Sequence, residues 1–143
     1  MFGYKNHVSI DRAHGFVRLY AVTHAAARLP ALLDKTNTAS PVWPTRPIAP
    51  PANEAHLARH GLRSRIHFRR KPGRDLTPPQ RKANPARTAV RSEVKTVFAA
   101  HKHGFRLVIR TIGIARATTK IGLANLAYNI RRFIWIKGQA RRA

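Results

Sequence analysis

Residues 3 to 24 follow the two-residue rhythm of strands, broken once by a turn. Val8 and Ile10 come after a polar start, Asp11-Arg-Ala-His-Gly15 supplies the turn, and Phe16 to Thr23 alternates again, so a β-hairpin is predicted. Phe16, Arg18, Tyr20 and Val22 share one face, and Val17, Leu19 and Ala21 the other. Both faces are apolar enough to be half buried, which suits an inner strand pair of an α/β sheet. Ala25 to Leu33 reads as a short helix interrupted by Pro30. From Ser40 to Pro51 there are five prolines in twelve residues, which forbid a helix and a central strand alike. Taken alone, this stretch is a linker or a polyproline docking segment. Glu54 to His60 is predicted to be a short helix closed by Gly61, and Arg63 to Phe68 a strand with Ile66 and Phe68 facing inward.

Residues 69 to 89 are basic, rich in proline and without apolar period, which predicts a disordered or nucleic-acid-draped loop. A helix is predicted from about Thr88 to His103, with Val90, Val94 and Val97/Phe98 as its apolar stripe. Leu107 to Ile114 is a short apolar run of mixed type. From about Ala115, the recurrence of Ile121, Leu123/Ala124, Ala127/Tyr128, Ile130 and Phe133/Ile134 predicts a strongly amphipathic helix. Arg116, Lys120, Arg131 and Arg132 project from its margins.

Charge changes this picture most. The chain has 143 residues, enough for one domain, and a hydrophobic fraction of 43% that permits a folded core. Against this, 28 lysines and arginines face 5 carboxylates, a formal +23 spread along the whole length. Such density repels itself in a compact state unless a polyanion neutralises it, so nucleic acid, an anionic membrane surface or ribosomal RNA are the partners it suggests. The bland alternative is arginine-biased coding in a chain no longer under selection. With no cysteine, neither a disulfide nor a thiolate metal site exists. Acidic residues near the eight histidines are few, and His101 and His103 would point to different sides of a helix, so no zinc cluster is expected. The first residues lack the apolar core of a secretory signal, and Asn125, Asn129, Arg131 and Arg132 interrupt the longest apolar stretch, so no membrane partner is expected. A cytoplasmic, nucleoid-associated location follows as the expectation.

Arg91-Ser-Glu-Val-Lys95-Thr-Val-Phe-Ala-Ala-His-Lys102 carries the candidate chemistry. Its arginine and lysine have the spacing of the arginine, glutamate, lysine signature of DDE-type insertion-sequence transposases, notably the IS-five group. Lys95 stands where that family has its glutamate. Glu93 cannot replace it, because two residues along a helix turn a side chain by roughly 200°. Further blocks resemble the same family. Phe2-Gly-Tyr-Lys-Asn-His-Val-Ser-Ile-Asp11 is similar to its G-Y-K-x-H-V-S-I-D strand, and Thr23-His-Ala-Ala-Ala27 to the end of the following hairpin. Leu32 to Ser40 resembles the block before the second catalytic strand, and Arg110 to Asn129 resembles the family's terminal helix nearly residue for residue.

The resemblance implies an α/β class: a partial RNase H-like fold with an N-terminal β-hairpin, a damaged central strand and C-terminal α-helices. In the intact family two aspartates and a glutamate hold two Mg²⁺ ions, which activate the attacking hydroxyl and stabilise the leaving oxygen. The first aspartate lies upstream of the G-Y-K block at which this sequence starts. The second belongs to a motif W-A-D-[ST]-A-Y-R, and here Trp43 is followed by Pro44-Thr-Arg-Pro-Ile-Ala49. A GC-rich coding of the motif, TGG GCC GAC ACG GCC TAT CGC, loses one G to become TGG CCG ACA CGG CCT ATC GC, which encodes Trp-Pro-Thr-Arg-Pro-Ile-Ala. Residues 40–52 are therefore read as a frameshift scar, with Thr45 at the second metal position and Trp43 left exposed. Thr88 replaces a family tyrosine three residues before Arg91.

The resemblance thus implies that residues 1–143 are a truncated, partly scrambled C-terminal part of a transposase catalytic domain, with residues 69–89 as a basic loop. No catalytic set is intact, since Thr45 and Lys95 occupy two family positions, and no cofactor is expected to bind well. Arg91, Lys95, Lys102, Arg110, Arg116 and Lys120 are the candidate DNA contacts. DNA, mainly non-specific, is the expected partner, with RNA as a second. A basic RNA-binding protein of ribosomal type and the non-functional product of a decayed reading frame are the alternatives. Asp11 and Asp34 match the family outside its triad; a turn-initiating residue and a loop carboxylate account for them.

Overall fold

The computed structural model describes residues 4–24, 29–33, 41–43, 51–65 and 67–142. In order these form β1 (Lys5–Ile10), β2 (Val17–Thr23), a 3-10 turn (Leu29–Leu32), β3 (Pro41–Val42), α1 (Pro51–Arg59), β4 (Arg63–Ser64), α2 (Pro78–Ala99), a π turn (Ala100–Gly104) and α3 (Ile114–Ala140). The class is mixed α/β with small sheets. The chain divides into two compact units, one of residues 1–34 and 94–143 and one of residues 35–93.

The first unit opens with the predicted hairpin. β1 and β2 pair antiparallel from Lys5↔Thr23 to Ser9↔Leu19, and an irregularity between Ser9 and Ile10 shifts the last pair to Ile10↔Val17. Asp11 organises the turn: its carboxylate accepts the His14 N–H at 2.6 Å and the Phe16 N–H at 2.8 Å. Gly15 closes it at φ +73°, the left-handed region that glycine enters without steric cost. The expectation of an inner strand pair is corrected. Among the described residues the sheet has two strands, and Arg18 and Tyr20 are exposed while Val17 is buried. An edge strand leaves main-chain groups that need a partner, and a helix supplies it.

That helix is α3. The amide of Asn129 meets Val17 as a second peptide would, its Oδ1 accepting the Val17 N–H at 2.8 Å and its Nδ2 donating to the Val17 carbonyl at 2.9 Å. Arg132 Nε donates to the His14 carbonyl at 2.7 Å, Tyr128 to the Gly15 carbonyl at 3.2 Å, and Asn6 to Asn125 at 3.3 Å. These four helical residues stand at i, i+3, i+4 and i+7, one face of the helix. Val17, Val97 and Tyr128 form the buried cluster, with Val8, Ile10, Ala100 and Phe105 packed against it. Burial of each large member contributes about 1.5–3 kcal/mol.

The predicted apolar face of α3 is therefore half wrong. Ala117, Ile121, Ala124, Asn125 and Tyr128 are buried, whereas Leu123, Leu126, Ile130, Phe133, Ile134 and Trp135 are each more than half exposed. The hairpin recruits the face that carries hydrogen-bonding groups for its edge, because leaving a main-chain pair unsatisfied costs more than exposing a leucine. Arg132, predicted at a margin, is half-buried against the turn.

In the second unit, β3 and β4 pair in parallel, Pro41↔Arg63 and Val42↔Ser64, with α1 as the crossover between them. Parallel strands need such a crossover, and the order is that of a βαβ unit. Trp43, expected to be exposed, is half-buried. α1 begins at Pro51 rather than Glu54, since proline is tolerated in a first helical turn. It ends as predicted near Gly61 at φ +67°, where the Leu62 N–H returns to the Leu57 carbonyl at 2.9 Å. The strand foreseen for Arg63 to Phe68 is regular only over Arg63–Ser64, and Ile66 lies outside the described residues.

The largest correction concerns residues 69–89, expected as a loop. α2 starts at Pro78, ten residues before the predicted helix start, and runs to Ala99 before widening into the π turn. Pro78 and Pro79 occupy its first turn, where no N–H is needed. Gln80 accepts the Thr77 N–H at 3.0 Å, the return half of a capping box. Pro85 inside the helix removes one hydrogen bond, and contacts with the segment before the helix offset the loss. Asn84 holds Phe68 as Asn129 holds Val17, accepting its N–H at 3.0 Å and donating to its carbonyl at 3.1 Å. Arg87 lies over the Phe68 ring at 4.1 Å, and Thr88 meets His67 at 3.3 Å. Residues 70–75 form a tight basic turn, with Asp75 bridged to Arg70 at 2.6 Å and to Arg81 at 3.7 Å.

Candidate nucleic-acid interface

Among the six candidate DNA contacts, only Arg91 is half-buried; the other five are exposed. Arg91 and Lys95 are carried by α2, Lys102 by the π turn, Arg110 by the extended stretch after it, and Arg116 and Lys120 by the first turns of α3. Arg116 and Lys120 stand one helical turn apart and so share a face. Thr45 lies outside the described residues. The segment linking these helices, from Leu107 to Ile112, alternates half-buried and exposed side chains and presents Arg110 outward.

The π turn is closed by the Phe105 N–H on the Ala100 carbonyl at 2.8 Å. It buries His101 to 6% exposure and leaves Lys102 and His103 in solvent, so the two histidines point apart as the sequence suggested. Burial pushes the His101 pKa below 6.5, and a main-chain hydrogen bond at Ala124 pulls weakly the other way. At neutral pH its ring adds no charge to the surface.

Of the two positions that the resemblance aligns with metal ligands, Lys95 alone is described; it is an exposed ammonium, a cation that repels a metal and has no lone pair to offer it while protonated. No three of His, Asp or Glu gather as metal ligands among the described residues. Of the five acidic residues, Asp11 is committed to its turn and Asp75 to two arginines. With all five carboxylates counted the formal charge is still +23, so the surface potential is positive.

Two features escaped the sequence reading. The far end of α3 combines exposed aromatic rings with cations: Arg132 lies over Trp135 at 4.6 Å, and Lys137 over Phe133 at 5.6 Å. The signal was legible as aromatic and basic residues interleaved from Arg131 to Lys137. The other is a histidine pair at the end of α1, His56 in the helix and His60 in the turn after it, four residues apart with ring centroids separated by 4.6 Å. Its H-x3-H spacing stands in the sequence. Among the described residues no helix is long and apolar enough to cross a membrane. Comparison with protein-family models, curated proteins and solved structures gives no match.

Proposed function

We propose that this chain is a DNA-associated remnant of a DDE-type transposase, retaining non-specific nucleic-acid binding without strand cleavage or transfer. The observation that carries the reading is the block from Arg91 to Lys102, with an exposed lysine where the metal-binding glutamate belongs. Beside it stands the block Arg110 to Asn129, whose cations Arg110, Arg116 and Lys120 are all exposed. A partial RNase H-like fold accords with the hairpin, the parallel β3-α1-β4 unit and the terminal helix. The Pro44 to Ala49 segment read as a frameshift scar lies outside the described residues.

Chemically, the proposal is counterion release. Lysines and arginines displace condensed cations from the phosphate backbone, and the affinity falls linearly with salt on logarithmic axes. Arg91 to Lys120 position the chain on phosphates without reading bases. The test is a pair of assays on the pure protein. Binding to unrelated duplexes of equal length should be equal and should weaken by orders of magnitude between 50 mM and 200 mM salt. Cleavage of the same duplexes with Mg²⁺ or Mn²⁺ should stay at background. Salt-insensitive binding, a strong preference for one short sequence, or metal-dependent nicking would each overturn the proposal.

A further inference from the structure

His56 and His60 lie one helical turn apart at the end of α1, and their rings face each other at 4.6 Å between centroids with planes inclined by 58°. An imidazole nitrogen binds Zn²⁺ at ~2.0–2.1 Å, which puts each ring centroid about 3.2 Å from the ion. Two such rings have centroids about 5.2 Å apart at the ~109° of a tetrahedral site and about 4.5 Å apart at the ~90° of a square-planar or tetragonal one. The observed 4.6 Å is close to the separation a square-planar or tetragonal ion requires. We propose that His56 and His60 form a two-histidine site for a borderline divalent transition ion of the Cu²⁺, Ni²⁺ and Zn²⁺ class, with water completing the coordination.

The helix supports the pair on both sides. Leu57, 1% exposed, anchors α1, and its carbonyl accepts the N–H groups of His60 and Leu62 at 3.1 and 2.9 Å, so the last turn is closed. The carbonyl end of a helix favours a cation. Arg59, the charged residue between the two histidines, directs its Nε back to the Ala55 carbonyl at 3.4 Å. Imidazole nitrogen suits these ions and not Mg²⁺, which demands oxygen ligands, so this site is independent of the proposed ancestry. A metal cross-link would add stability to a helix of nine residues, a length that does not persist alone.

The experiment titrates the full chain at pH 7.5, in a buffer without phosphate or chelator, with CuCl₂, NiCl₂ and ZnCl₂. Binding is followed by calorimetry and by the imidazole NMR signals. The His56 and His60 signals should respond together at the first equivalent, ahead of the other six histidines, with Cu²⁺ the tightest. His56→Gln and His60→Gln should each remove that first equivalent, and the double variant should lose nothing further. His60 is exposed, so His60→Gln separates loss of a ligand from loss of the helix, with far-UV circular dichroism of the metal-free variant as the control. At pH 5 the first equivalent should be weakened, because protons compete with a metal for imidazole nitrogen. A first equivalent unchanged in the double variant, or lost with only one of the two histidines, would overturn the site.

Discussion

Two asparagines do the same work in different places. Asn129 and Asn84 each give one amide donor and one acceptor to the N–H and C=O of a single residue, Val17 and Phe68. Replacing either by leucine keeps the bulk and strands two main-chain groups, which costs about 1–3 kcal/mol per unsatisfied group. Asn129→Leu and Asn84→Leu should each lower the urea midpoint by that order, and Asn129→Asp should be no milder, since a carboxylate would face the Val17 carbonyl. A midpoint unchanged in Asn129→Leu would show that water can replace the amide. His101 makes a pH prediction at the same level. Its folded pKa is depressed by burial, so between that value and 6.5 the unfolded chain binds more protons and stability rises with pH. The contribution of the neutral ring is complete above about 6.5 and is lost as pH falls through that window. Melting temperature should therefore drop from pH 7 to pH 5, and His101→Leu should flatten the drop; equal slopes in both proteins would refute the assignment.

Among the elements, α3 shows how a close approach decides a residue. A Cβ on Gly122 would stand 2.3 Å from the Tyr20 hydroxyl and 2.9 Å from its ring carbon. Alanine gains about 1 kcal/mol over glycine in a helix interior, while forced overpacking costs about 1–3 kcal/mol. Gly122→Ala should thus be neutral to destabilising in the native chain and stabilising by about 1 kcal/mol in a Tyr20→Ala background. A double-mutant cycle on thermal unfolding reads the change of sign, and its absence would mean that Tyr20 swings away freely. α2 shows the opposite failure. Its prolines were read as breakers, yet Pro78 and Pro79 sit where a helix tolerates them. The Thr77-Pro-Pro-Gln80 spacing was a start signal that composition obscured. Pro85 remains a local conflict, held by tertiary contacts that no local rule foresees.

For the molecule as a whole, charge governs the expected behaviour. Lys95→Glu should weaken binding to any duplex and reduce the salt slope by about 1 for the lost phosphate contact, while cleavage stays absent. An affinity and slope equal to those of the native chain would remove Lys95 from the interface. The charge excess, the hairpin with its Asp11-to-Gly15 turn and the existence of the terminal helix were all legible, because each depends on composition or on neighbours within a few residues. The buried face of α3 was legible only in part. Periodicity offered an apolar stripe through Ile121, Leu123/Ala124, Ala127/Tyr128, Ile130 and Phe133/Ile134, of which Ile121, Ala124 and Tyr128 are buried, but the hairpin presents an open edge at Val17 and carbonyls at His14 and Gly15. Residues more than a hundred positions away, Tyr128, Asn129 and Arg132, satisfy those groups. Asn125 and Asn129, which looked like interruptions of an apolar helix, are what dock it. Hydropathy along a chain cannot register a demand made by a distant main-chain group; only folding brings that demand and its answer together.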